Sequence, residues 1–303
     1  MTTKWLDDIK QAFEQAERFL GVQPQPDTDQ TGSPPIIGLA LSGGGERGVA
    51  HIGVLAVLEE HGIRPHVVAG TSAGAIAGAL YCAGWDSQRM IQAIRSINWG
   101  KVRKFSWTDT RGLFRGESVS RWFTNQVGAD LTFEDLQIPL VVVATDLMTG
   151  EEVLIGEGPV APALHASAAV PGLVTPYKTP DGRLLVDGGV VNNNPIDVVQ
   201  ALGATYVISI DVSHHNGNWP TEEPRNFVDV MGMTYRILRR NTDMLHGEAD
   251  CLVVPDVPNV RLSQVGKYAD PLYEGGRKAM QDAIPQIQAD LARFQHPVTE
   301  ERV

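Results

Sequence analysis

A serine and an aspartate, each set among glycines, are the residues of this chain best suited to covalent chemistry. Ser72 is the centre of Gly70-Thr71-Ser72-Ala73-Gly74, a G-x-S-x-G pattern between a short apolar run and a stretch of small residues. Where a strand feeds a helix through such a turn, Gly70 and Gly74 permit the sharp bend. The hydroxyl is then left exposed at the strand end, as a nucleophile must be. By pattern alone the segment fits an ordinary tight turn equally well. Asp187 opens Asp187-Gly188-Gly189, directly after Leu184–Val186. That triplet reads as a common D-G-G turn, or as a carboxylate held at a strand end next to Ser72 to take its proton.

A third motif, Gly43-Gly44-Gly45-Glu46-Arg47-Gly48, follows the apolar run 36–41. It satisfies G-x-G-x-x-G, the dinucleotide fingerprint, which is a weak signal by itself. A dinucleotide site also needs a carboxylate about 20 residues on, at the end of the second strand. Here that strand runs into Ala69-Gly70-Thr71-Ser72, with no acid. What remains is a row of unhindered N–H groups at a helix N-terminus, aimed at a phosphate or a transient oxyanion. Arg47 either anchors this loop through carbonyls or lies on the surface.

The elements that must position these residues alternate along the chain. Ile36–Leu41, Val67–Ala69, Pro139–Thr145, Leu184–Val186, Tyr206–Ile210 and Cys251–Val254 read as short buried strands. Val49–His61, Ala73–Ala83 and residues 86–97 read as helices, with Gly62 a stop for the first. This alternation predicts an α/β sandwich around a largely parallel sheet. Carboxyl ends of neighbouring parallel strands line one crevice. The three motifs are therefore expected to converge, although 115 residues separate Ser72 from Asp187.

Composition removes several function classes. The 303 residues are 43% hydrophobic and 20% charged, which suits one large domain or two small ones and excludes disorder. Cys82 and Cys251 are the only cysteines, so neither a disulfide scaffold nor a cysteine zinc cluster can form. Calcium-loop and metal-ligand spacings are absent, and no cofactor is expected. A net charge of −11 argues against nucleic acid as a partner. His66–Trp85 and Gly158–Tyr177 lack charged residues. The first is mostly small residues and the second holds four prolines, so both read as buried elements rather than membrane spans.

The N-terminus has no signal-peptide run, and a cytoplasmic protein is expected. Trp5, Ile9, Phe13 and Leu20 predict an amphipathic helix over residues 3–20. It is slightly acidic and suits packing on the body or on a second subunit, as in a homo-oligomer. Residues 22–35 read as a linker, so that 1–35 precede a domain at 36–303 that holds the three motifs. Residues 99–116 carry Lys101, Arg103, Lys104, Arg111 and Arg115 against Asp109 alone, a local charge of +4. Trp99, Phe105, Trp107 and Phe114 are interleaved. This segment reads as a flap touching anionic headgroups at an inner membrane surface, or as a packed loop with solvated charges.

Together these motifs resemble the patatin-like phospholipase family, and within it bacterial proteins similar to the catalytic domain of neuropathy target esterase. The resemblance rests on GGGERG at 43–48, GTSAG at 70–74 and DGG at 187–189. RGLFRG at 111–116 and HASAAVPGLVTP at 165–176 add support, and the whole covers about residues 36–210. It implies a three-layer α/β/α sandwich and hydrolysis of a lipid or other acyl ester. It makes Ser72 the nucleophile, Asp187 the base, and Gly43, Gly44 and Gly45 the oxyanion loop, with Gly188 and Gly189 supporting the base. An acyl-enzyme would form on Ser72. Partial burial would lift Asp187 above its ordinary pKa of ~3.9.

Two alternatives stand beside this reading. One is a Ser-Asp-His triad using His214, His215, His246 or His296, each of which reads as a surface residue. His51 reads as a core histidine. The other is a non-catalytic regulator that keeps the fold and binds a lipid or a nucleotide.

Overall fold

The computed structural model describes residues 34–97, 105–106, 109–128, 130–213, 223–242, 247–258, 260 and 265–295. The expected helix over 3–20, its linker up to residue 33, the flap residues Trp99, Lys101, Arg103, Lys104 and Trp107, and the four histidines after Asp187 lie outside them.

Strand β1 (Ile37–Leu41) passes through a 3₁₀ turn at Gly45–Gly48 into helix α1 (Val49–Glu60). Strand β2 (Val67–Thr71) leads to α2 (Ala73–Cys82), and α3 (Ser87–Ser96) follows. Next come β3 (Gly112–Phe114), α4 (Glu117–Val127), β4 (Leu140–Asp146), β5 (Glu152–Ile155) and α5 (Val160–Ser167). Then come β6 (Gly172–Val174), β7 (Tyr177–Lys178), β8 (Leu184–Asp187), α6 (Ile196–Ala201) and β9 (Tyr206–Ile210). Helix α7 (Phe227–Thr242), β10 (Cys251–Val253) and the long α8 (Val265–Gln295) close the order.

Strands β10, β9, β1, β2 and β4 lie side by side and parallel. They are short and apolar because both faces are covered. Successive side chains alternate between the faces. Leu39, Leu41, Val68, Val142, Ile208 and Ile210 pack with α1, α2, α3 and α8. Ala40, Val67, Ala69, Val141, Val143 and Val207 pack with α6 on the other side. The result is the expected three-layer α/β/α sandwich. Helices α1 and α8 cross closely through two glycines: a Cβ on Gly53 would stand 2.0 Å from the Tyr273 carbonyl, and one on Gly276 2.0 Å from that of Ala50.

The sheet is parallel only in part. Strands β5 and β8 pair antiparallel with β4, and β7 pairs antiparallel with β8. The strand that ends in Asp187 is therefore not a parallel neighbour of β2, and the crevice expected from parallel strand ends is built differently.

Candidate active site

Strand β4 brings the serine and the aspartate together. Val143 pairs with Thr71 of β2 and with Leu154 of β5, while Ala144 pairs with Asp187 of β8 and with Val153 of β5. Since β5 occupies one edge of β4, β2 and β8 share the other. One runs parallel to β4 and the other antiparallel, so their carboxyl ends point at each other. Ser72 follows Thr71 directly, and its Oγ donates to Asp187 Oδ2 at 2.7 Å.

The turn after β2 is tight because its glycines touch backbone. A Cβ on Gly74 would lie 2.1 Å from the Leu41 carbonyl oxygen, and one on Gly70 2.7 Å from the Ala75 nitrogen. Ser72 itself has φ +53° and ψ −115°. Among the described residues it is the only non-glycine with positive φ. Such a conformation costs on the order of 1–3 kcal/mol and persists where the surroundings hold it. Three bonds hold it here. The Ser72 amide donates to Ser167 Oγ at 2.8 Å, Thr71 Oγ1 donates to the Asn192 carbonyl at 2.9 Å, and the Ile76 amide donates to the Ser72 carbonyl at 3.1 Å.

Asp187 is completely buried. Its Oδ1 accepts from the Gly189 amide at 2.9 Å, and its carbonyl accepts from Thr145 Oγ1 at 3.0 Å. Burial pushes its pKa up. The hydroxyls of Tyr235 and Ser72, the Gly189 amide and the charge of Arg239 oppose that rise without cancelling it. Gly188 has room for no side chain, since its Cβ would fall 2.3 Å from the Val143 carbonyl oxygen.

The glycine loop lies against the serine: a Cβ on Gly43 would sit 3.3 Å from Ser72 Cβ. The three amides of that loop are not equivalent. Gly43 N–H donates to the Asn193 carbonyl at 2.9 Å. The Gly44 and Gly45 amides have no protein acceptor among the described residues. Gly45 takes φ +58°, which turns the chain toward α1. Arg47 is buried and donates to the Ser213 carbonyl at 3.0 Å, which ties the loop to the segment after β9. Burial and the charges of Arg239 and Arg236 lower its pKa to about 9, partly offset by Asp211 and Glu46.

His51 is fully buried, and its Nε2 lies 2.9 Å from the Ser42 carbonyl. Burial lowers its pKa to about 4, so it stays neutral. The two weaker motifs meet each other. Gly112 and Phe114 of β3 pair with Gly172 and Val174 of β6, and the Gly116 amide donates to Thr175 Oγ1 at 3.1 Å. In the 99–116 segment, Phe105 packs on Phe114 at 5.1 Å between ring centroids, and Arg111 is paired with Asp109.

Several neighbours of Ser72 and Asp187 carry no motif in the sequence. Ser167 lay inside a segment read only as family-like. Asn192, Asn193 and Asn194 are all buried and form a bonded run directly after the Asp187 turn. Three consecutive asparagines before a proline were a visible signal. Tyr235 and Arg239 come from α7, where no motif marked them. Among the described residues, no group of three or more His, Cys, Asp or Glu could hold a metal, and no helix is long and apolar enough to cross a membrane.

Comparison with known proteins follows the same residues. The family model described as patatin-like phospholipase matches residues 39–199. Neuropathy target esterase sws of Drosophila melanogaster is 32% identical over 239 residues, covering 74% of this chain and 16% of that protein. An NTE family protein of Mycobacterium tuberculosis is 34% identical over 183 residues, covering 60% of this chain and 50% of its own length. The chain thus spans a small part of the animal relatives and half of the mycobacterial one. In solved structures, VipD of Legionella pneumophila matches with TM-score 0.54 at 14% identity, over 83% of this chain and 68% of that one. Human GIVD cytosolic phospholipase A2 matches with TM-score 0.52 at 12% identity, over 96% and 64%. With its family model spanning the glycine loop, the serine turn and the aspartate, this chain belongs to the patatin-like phospholipase family.

Proposed function

We propose that this chain is a serine-dependent lipid acyl hydrolase that works through Ser72 and Asp187. One observation carries the reading: a serine hydroxyl on a strained turn donates at 2.7 Å to a fully buried carboxylate. Ser72 Oγ attacks the ester carbonyl carbon while its proton passes to Asp187 Oδ2. The carbonyl oxygen becomes an oxyanion, which the Gly44 and Gly45 amides receive. The bond to the alcohol then breaks, and the proton on Asp187 goes to the departing oxygen. Water repeats the sequence on the acyl-enzyme and releases the fatty acid.

The burial of Asp187 makes it a better base than a solvated carboxylate, which lets it serve without a histidine in this reading. The base supplies about 10²–10⁴-fold, and each oxyanion donor about 10²–10³-fold. Gly43 has a different part from its neighbours: with its amide bonded to Asn193, it fixes the loop. A phospholipid, a lysophospholipid or a simple acyl ester fits the chemistry equally. Turnover is expected to survive chelating agents. A cytoplasmic protein acting on such substrates would work at a membrane surface, where the 99–116 segment is one contact.

A fluorophosphonate ester probe tests the reading. Ser72 should be labelled in the native chain, and Ser72→Ala should abolish both labelling and hydrolysis across esters of increasing acyl length. A folded protein whose Ser72 stays unlabelled would favour the non-catalytic binder instead.

A further inference from the structure

Helix α7 has two faces of opposite character. Tyr235 and Arg239 are buried, and both act on Asp187. An Arg239 terminal nitrogen lies 3.6 Å from where a Cβ on Gly43 would stand. Phe227, Val230, Ile237 and Leu238 fall on one stripe of the helix away from that face. Their exposures are 59%, 46%, 49% and 49%. With Val228 they make five of the nine exposed large apolar residues among the described residues. Scattered exposed apolar residues need no explanation, but a concentration on one helix does.

The helix is secured at its start. Asn226 Oδ1 accepts from the Asp229 amide at 3.0 Å, and Asp229 Oδ2 accepts from the Arg225 amide at 3.0 Å. The apolar surface also continues beyond it. Met231 lies against Gly172 of β6, β6 pairs with β3, and Phe114 of β3 carries the exposed Phe105. Charge beside the stripe has the matching sign: over residues 225–238 the exposed Arg225 and the half-buried Arg236 stand against Asp229 alone, on a chain of net −11. An apolar stripe with locally positive flanks on an acidic molecule complements an anionic lipid surface.

We propose that α7 is an interfacial helix whose Phe227–Leu238 stripe lies in an anionic lipid surface while its other face completes the active site. The proposal rests on the hydrolase reading and adds to it: the same helix that touches lipid also touches the base. An acyl chain leaving the lipid surface would meet the dyad by passing one helix.

The test uses the full chain and the triple variant Phe227→Gln, Ile237→Gln, Leu238→Gln. All three positions point outward, and glutamine is a good helix former. Co-sedimentation is measured with phosphatidylcholine vesicles, with and without phosphatidylglycerol. The native chain should bind, more strongly with phosphatidylglycerol present, and the triple variant should lose about tenfold or more in partitioning. The single Ile237→Gln variant is the milder control for folding and should lose about threefold. Hydrolysis of a short-chain soluble ester should be unchanged in both. Native-like vesicle binding by the triple variant overturns the proposal, as does a native chain that binds neither vesicle. A dimer in analytical ultracentrifugation that the triple variant converts to monomer would assign the stripe to a second copy, and would overturn it too. Absence of Ser72-dependent hydrolysis in the native chain would sink the hydrolase reading separately, whatever the vesicles show.

Discussion

The backbone amide of Gly43 is bonded to the backbone carbonyl of Asn193 at 2.9 Å, so the glycine loop is fastened to the segment that follows Asp187. Asn193 also donates from Nδ2 to Ser213 Oγ at 3.0 Å, and the Ser213 carbonyl receives Arg47. These contacts close a ring through Gly43, Asn193, Ser213 and Arg47. The glycine loop and the Asp187 turn are thereby held as one body, so a disturbance at either is felt at both.

Gly43→Ala should test that ring. The added carbon would stand 2.6 Å from Asn193 Oδ1 and 3.3 Å from Ser72 Cβ, and Asn193 is fully buried with its Nδ2 bonded to Ser213 Oγ. By displacing the loop, the substitution should lower kcat on a soluble ester about 10²-fold with the fold retained. A kcat equal to that of the native chain, in a variant with a normal melt, would show that the loop does not need this contact.

Asp187→Asn should separate activity from stability. Losing the base should lower kcat about 10²–10⁴-fold. The stability effect has the opposite sign. A buried acid with a raised pKa binds its proton more tightly when folded, so it costs stability once the pH exceeds the unfolded pKa of about 3.8. The variant should melt higher than the native chain at neutral pH, and the difference should vanish below about pH 4. In the native chain, the acid limb of the kcat/KM profile should lie above the ordinary carboxylate range. A limb at the ordinary carboxylate position would contradict the role of burial.

Ser167→Ala should loosen the strained turn. The Ser72 amide would lose its buried acceptor, a loss of about 1–3 kcal/mol. Thermal denaturation should show a lower melting temperature, and fluorophosphonate labelling of Ser72 should slow. A variant as stable as the native chain would mean that another group or a water molecule takes up the amide.

His51→Gln should remove a pH sensitivity without removing activity. Native His51 is buried and neutral, with its pKa lowered from 6.5 to about 4. The unfolded chain therefore takes up a proton first, and stability should fall by about 3 kcal/mol as pH drops from 6.5 to 4. Glutamine can still donate to the Ser42 carbonyl, so the variant should lose less over that range, by chemical denaturation at several pH values. If His51→Gln proves as inactive as Asp187→Asn while still folded, the dyad is wrong.

The parallel strands and the three motifs were legible because each depends on local signals. Val67–Thr71 and Leu140–Asp146 are β-branched runs bounded by turns, and Gly70, Gly74 and Gly188 mark close backbone approaches that no side chain could occupy. The direction of β8 was not legible. A buried strand of three or four residues reads the same in either orientation, and only its partner on β4 decides. Nor did spacing distinguish Gly43 from Gly44 and Gly45, since Asn193 lies 150 residues away in sequence. Tyr235 and Arg239 escaped notice because α7 reaches the site only through folding, with no glycine turn beside it to mark a strand end.

One strand works as a ruler for the chemistry. Val143 and Ala144 are adjoining notches: Thr71, next to Ser72, pairs with the first and Asp187 with the second. The offset between the two oxygens therefore owes nothing to the length of chain that leaves β2 and returns on β8. Those excursions can grow, shrink or exchange surfaces while the reaction centre keeps its dimensions. A single residue added between the two notches would do the reverse: it would move the carboxylate by about 3.3 Å and turn neighbouring side chains to the other face. The surrounding loops can diverge while the spacing of Ser72 and Asp187 stays set by two consecutive residues of β4.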